Sequence, residues 1–246
     1  LKLRASYGIV GHDSTNGARF LYLPGTWQFY TGKMTVNPQD RGTNFGTNGN
    51  WLQAVRELTA GNPNVTWETA TKINVGLDAG FFKDQLHAYV DFFWEDRKDI
   101  LVSNASTLPA ITSLPANYVN EGRVKNHGFE VTLNWEQKFG DFRYSISPNF
   151  AFARNQVIEM LEVPPLYDYL SRTGLPVGQP FGYDLFEFYE QGATEERYFE
   201  KYGVEMPDQN IALKNGDAVY VDLNGDGIVD QNDQKPLGYT DNPEIT

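Results

Sequence analysis

The chain has 246 residues, a net charge of −12 and no cysteine. That charge argues against nucleic acid as the main partner, because phosphate neutralisation needs clustered Lys and Arg. Without cysteine there is no disulfide framework, thiolate metal site or cysteine nucleophile.

No run of about 18 apolar residues occurs, so no transmembrane helix is expected. Aromatic residues make up 14% of the chain and there are 23 glycines. With few helix-forming runs, this favours an all-β chain with long turns. The opening LKLRASYGIVG already reads as a strand, with Leu3, Ala5, Tyr7 and Ile9 opposite Arg4, Ser6 and Gly8. A chain that starts inside a strand is expected to be an internal piece of a longer polypeptide.

A long connection over roughly residues 11–66 follows, carrying Trp27, Phe29, Tyr30 and Trp51. The next strand places Thr71, Ile73, Val75, Leu77, Ala79 and Phe81 on one face and Lys72, Asn74, Gly76 and Asp78 on the other. Only Phe82–Gln85 separates it from a strand with Leu86, Ala88, Val90, Phe92 and Trp94 opposite His87, Tyr89, Asp91 and Phe93. After a second long connection over roughly residues 98–122, Phe129, Val131, Leu133 and Trp135 alternate with Glu130, Thr132, Asn134 and Glu136. A tight turn at Lys138–Asp141 leads into Phe142, Tyr144, Ile146, Pro148, Phe150 and Phe152, opposite Arg143, Ser145, Ser147 and Asn149. A third long connection runs over roughly residues 156–217.

These strands have the length of tilted transmembrane strands, about 9–11 residues. Short turns alternate with long loops, as in outer-membrane barrels. Phe81, Phe82, Phe139 and Phe142 gather at the short turns, where an interfacial girdle would sit. Trp67, Trp94 and Trp135 are expected in the opposite girdle or the lipid-facing band. A soluble β-sandwich also alternates. Charged residues opposite very aromatic faces, and three loops beyond the usual 12–15 residues or so, favour the barrel.

Four segments carry a resemblance. They are NPNVTWETATKINVGLDAGFFKDQLHAYVDFFWEDRKDILV, NEGRVKNHGFEVTLNWEQ, VGQPFGYDLFEFYEQG and GDAVYVDLNGDGIVDQNDQKPLG. Their order and spacing resemble the C-terminal barrel half of SusC/RagA-type TonB-dependent transporters. The resemblance implies an antiparallel transmembrane β-barrel with long extracellular loops in the bacterial outer membrane. Residues 1–246 would be one part of it, with the plug domain and remaining strands outside this chain. It also implies energy from the TonB complex through that plug, a SusD-like surface lipoprotein as partner, and an oligosaccharide, less often a peptide, as cargo.

DLNGDGIVDQND, from Asp222 to Asp233, has calcium-loop spacing. Ligand positions fall on Asp222, Asn224, Asp226, the Ile228 carbonyl, Asp230 and Asp233, with Gly227 sixth. Position 12 is Asp rather than the usual bidentate Glu. The flanks DAVYV and QKPLGYTDNPE are not helical, so a helix-opening sensor is excluded. The reading is a structural Ca2+ that staples a loop; the alternative is a turn in which Asn-Gly and Asp-Gly supply the geometry.

His12, His87 and His127 show no metal-ligand spacing. No nucleophile elbow, P-loop or zinc-protease motif occurs, so no catalytic residue is predicted. Aromatic residues in the first and third loops, chiefly Trp27, Trp51, Tyr183, Phe186 and Tyr189, are candidates for contact with a sugar or a lid protein. The alternative for each is self-packing of the loop. Two other functional readings compete: a secreted, calcium-stabilised carbohydrate-binding β-protein, and a small passive porin-like barrel. Detergent requirement separates the first of these from a transporter, and chain length the second.

Overall fold

The computed structural model describes residues 1–13, 20–23, 27–29, 43–45, 50–52, 55–57, 61–108 and 116–246, with side chains placed outside 27–57 only. Its main sheet contains β1 (Lys2–His12), β6 (Glu68–Phe81), β7 (Leu86–Ser103), β8 (Tyr118–Phe139), β9 (Phe142–Ile146) and β10 (Asn149–Glu159). The strand order is β1-β6-β7-β8-β10, with β9 also on β8. Between β1 and β6 lie four short strands, β2 (Trp27–Phe29), β3 (Thr43–Phe45), β4 (Asn50–Leu52) and β5 (Val55–Glu57), paired β2 with β5 and β3 with β4.

The chain divides into two compact units. One comprises residues 1–78, 91–126 and 158–163. Here β1 and β6 run antiparallel from Lys2↔Asp78 to His12↔Glu68 without a slip. Leu3, Ala5, Tyr7 and Ile9 therefore pair with Leu77, Val75, Ile73 and Thr71, and both apolar sets share one face. That face is uncovered: Tyr7 is 70% and Ile73 42% exposed. A sandwich would bury it against a second sheet.

The other unit comprises residues 79–90, 127–157 and 164–246. Its turn between β6 and β7 lies at the expected place, Phe82–Gln85. Its backbone is unusual, since Phe82, Lys83 and Asp84 all have φ near +60° (54°, 56° and 65°). Non-glycine residues there cost about 1–2 kcal/mol each. Two contacts hold the turn: the Gln85 N–H donates to the Phe82 carbonyl at 3.3 Å, and the Phe82 ring meets Trp135 edge-on at 6.0 Å. Trp135 thus stands with the short-turn aromatics rather than in an opposite girdle. Phe139 and Phe142 both stack on Tyr144.

The second hairpin turn is tighter than expected, because β8 reaches Phe139 and β9 starts at Phe142. The single strand expected from Phe142 to Phe152 is two, broken at Ser147–Pro148. Proline has no N–H to give the ladder; its carbonyl still accepts from Leu133 N at 3.0 Å.

The third long connection is structured. It holds β11 (Phe181–Tyr183), β12 (Leu185–Phe188), α1 (Ala193–Tyr202), β13 (Ala218–Tyr220) and β14 (Gln234–Pro236). β11 pairs with β14 and β12 with β13. The acid-rich run from Glu187 to Asp217 contains α1. Gly192 and Gly203, both at positive φ, bound the helix, and the Gly203 N–H closes it on the Phe199 carbonyl at 2.8 Å. Thr194 and Tyr198, one turn apart, are its buried residues. Val219, Val221 and Val229 of the same unit are buried as well.

Candidate functional site

Three surfaces are candidates: the polar face of the main sheet, the aspartate loop and the aromatic loop. The polar face is built by register. Arg4 of β1 reaches across β6 to β7. Its Nε donates to Asp78 Oδ1 at 2.8 Å, and its Nη1 and Nη2 donate to Asp91 Oδ1 and Oδ2 at 3.0 and 2.7 Å. Gly76 lies beneath this fork. A Cβ there would stand 2.5 Å from Asp91 Oδ1 and 2.7 Å from Arg4 Cζ, so the glycine makes room for the ion pair.

Further along the same face, His12 Nδ1 lies 2.8 Å from Glu68 Oε1. Arg97 joins Glu68 at 3.0 Å to Glu95 at 2.9 Å, and Lys72 reaches Glu95 at 3.3 Å. The carboxylates are the less exposed partners. The face is therefore a charged wall neutralised across strands, which leaves unused N–H groups on Arg97 and Lys72 to meet a polar solute. Among the described residues no catalytic arrangement emerges from it.

In the aspartate loop the predicted residues lie along one turn-rich segment. Asp222 accepts from the N–H groups of Gly225 and Gly227 at 2.6 and 2.8 Å. Asn224 accepts from Asp226 N, and Asp226 from Ile228 N. Asp230 accepts from Asn232 N at 2.7 Å. Asp233 is fully buried and accepts from Leu223 N, Asn224 N and Asp230 N. Gly225 and Gly227 take φ of 77° and 88°, which explains the Asn-Gly and Asp-Gly pairs. Each carboxylate keeps acceptor capacity beyond these bonds. Among the described residues no group of three or more His, Asp or Glu is gathered as a metal cluster.

Of the predicted aromatic contacts, three have inner partners. Tyr183 packs on Tyr220 at 5.2 Å. Phe186 meets Tyr198 and Tyr202, with Lys201 Nζ 5.1 Å above its ring. Tyr189 donates its hydroxyl to Glu195 at 2.7 Å; this bond holds the Glu195 carboxyl below its usual range and raises the Tyr189 phenol. The side chains of Trp27 and Trp51 lie outside the described residues. Phe188, another aromatic of the same loop, is 65% exposed on β12.

Residues 1–235 match the family described as TonB dependent receptor-like, beta-barrel. The TonB-dependent receptor P3 of Formosa agariphila is 24% identical over 250 residues, which are 96% of this chain and 22% of that protein. The TonB-dependent receptor SusC of Bacteroides thetaiotaomicron is 26% identical over 253 residues, 97% of this chain and 22% of SusC. The RagAB peptide importer in its "open-open" state superposes with a TM-score of 0.65 at 18% identity, over 99% of this chain and 23% of that one. At that identity the likeness is one of fold. This chain spans less than a quarter of the length of these proteins.

Proposed function

The chain belongs to the TonB dependent receptor-like β-barrel family and is of the SusC/RagA type, and from that premise we propose that it forms part of the wall of an outer-membrane nutrient importer. The family is one of receptors and transporters, not of enzymes, and we assign this chain no catalysis. The observation that carries the reading is the two-faced main sheet. Its apolar face is uncovered, as a lipid-facing wall requires, while its charged face is neutralised by ion pairs across strands.

A sheet in lipid must close to satisfy its edges, so the whole transporter supplies further strands. It also supplies a plug domain that couples to the TonB complex, and a SusD-like surface lipoprotein is its partner. The cargo is an oligosaccharide, or failing that a peptide. Support for the first is the aromatic content of the loops, and for the second the likeness to a structure named as a peptide importer. In the aspartate loop, a Ca2+ held by Asp222, Asn224, Asp226, the Ile228 carbonyl, Asp230 and Asp233 would staple the loop; its support is the ligand spacing.

Uptake of labelled oligosaccharides and oligopeptides by cells with and without the full-length gene tests the transport reading. Import of one class that disappears with the gene, and also with TonB, is the expected result. Unchanged import of both would overturn it.

A further inference from the structure

Where β1 ends at His12 and β6 begins at Glu68, the chain frames a cavity of about 230 Å³. The rings of Phe20, Tyr22 and Trp67 line it together with Asp13, Glu68 and His12, all within the first compact unit. The three aromatic residues are each more than half exposed, so their faces are not spent on a core. Trp67 packs on β1 at Gly11, where a Cβ would stand 3.2 Å from its Cε3. Phe20 and Tyr22 meet edge-on at 6.3 Å. Phe20 has a φ of 59°, uncommon for a bulky residue. Two backbone bonds hold its turn: Leu23 N donates to the Phe20 carbonyl at 2.9 Å, and Asn62 N to the Leu21 carbonyl at 2.8 Å.

The walls of the cavity accept hydrogen bonds and have few donors to give. Glu68 Oε1 takes His12 Nδ1 at 2.8 Å and Arg97 Nη1 at 3.0 Å, which leaves Oε2 with acceptor capacity. Thr66 spends its hydroxyl on the Trp67 carbonyl at 3.1 Å and its N–H on Asn120 Oδ1 at 2.9 Å. Among the described residues no lysine or arginine lines the cavity. Arg97 balances Glu68, and Lys72 balances Glu95 behind it. Asp13 has no ion pair among the described residues. With His12 neutral, the lining therefore carries one surplus negative charge.

We infer that this cavity binds an organic ammonium group on a small solute. A sugar hydroxyl both donates and accepts and would need donors from the wall, whereas an ammonium group needs none. Its positive charge is what the faces of Trp67, Tyr22 and Phe20 attract, and Asp13 supplies the counter-charge. The same carboxylate repels a ligand that carries an anion beside its amine, such as a phospholipid headgroup or an amino acid. The volume lies below the roughly 300 Å³ at which drug-sized sites begin, so the ligand is small. The site is separate from the cargo class proposed above and does not depend on it.

The test uses the full-length transporter in a non-ionic detergent at about pH 8, where an ordinary histidine is neutral. Choline chloride is the probe and saturation-transfer NMR the readout. Choline should bind saturably. The neutral alcohol in which carbon replaces the choline nitrogen has the same shape, and should bind about ten-fold more weakly or worse. Trp67→Leu keeps apolar bulk without an aromatic face and should weaken choline by about two- to thirty-fold, the span of single cation–π contacts. Trp67→Phe should restore most of that loss. Asp13→Asn should weaken choline and leave the neutral alcohol unchanged. Failure of choline to bind saturably, equal binding of choline and the alcohol, or displacement of choline by glucose at matched concentration would each overturn the proposal. If the variants fold poorly, the wild type decides alone through its preference for choline over the alcohol.

Discussion

At the scale of single residues, the two faces of the main sheet make opposite demands. Gly76 is small because the Arg4–Asp91 fork occupies the space above it. Gly76→Ala should push the ends of the Arg4 and Asp91 side chains aside and cost up to about 1 kcal/mol, the usual worth of a partly exposed ion pair, and denaturant unfolding in a bilayer measures it. An unchanged midpoint would mean that the fork moves aside freely. Val90 lies on the apolar face of β7. Val90→Arg should cost about 2–4 kcal/mol in a bilayer if it sits near the midplane. Asn74→Arg, on the charged face, should cost far less, and equal costs would invert the face assignment.

Among elements, the loop after β10 shows how function-bearing surfaces are held. Arg197 of α1 clasps Glu187 of β12 at 2.9 Å, and holds that carboxyl below its ordinary range. A depressed carboxylate stabilises at pH above its ordinary value of about 4.3 and loses that contribution as pH falls through the depressed value. Opening of α1, followed by hydrogen exchange corrected for intrinsic rates, should therefore rise as pH drops below about 4. Arg197→Gln should flatten the acid dependence; a wild type that opens equally at all acid pH values would refute the pairing. For the aspartate loop, a chelator should lower the unfolding temperature and calcium, but not magnesium, should restore it. Asp222→Asn should abolish the response. If calcium changes nothing, the loop is a turn held by its own aspartates.

These elements also mark what could be read from the sequence. The strands of the main sheet were legible because the pleat has period two and the apolar sets are long and aromatic. Their ion pairs were not, since Arg4 meets Asp91 through a register that alternation alone leaves open. The α1 helix was hidden because only Thr194 and Tyr198 face inward, too few to print a helical period. The turn at Phe82–Asp84 was legible in place but not in form, because three left-handed residues without glycine are held by a ring contact with distant Trp135. The aromatic candidates Tyr183, Phe186 and Tyr189 were named by composition; composition does not show that all three have packing or hydrogen-bond partners within the loop.

For the whole molecule, the central claim is that one face of the main sheet meets lipid and the other meets water inside a transport wall. This chain has no cysteine, so single cysteines introduced along β7 report their own positions. In outer-membrane vesicles carrying the full-length transporter, a charged, water-soluble thiol reagent should label cysteine at positions 87, 89, 91 and 93. It should spare positions 88, 90 and 92, with labelling mapped by peptide mass. A clean period of two is the result this account predicts. Uniform labelling of both sets, or labelling of the even set instead, would contradict it.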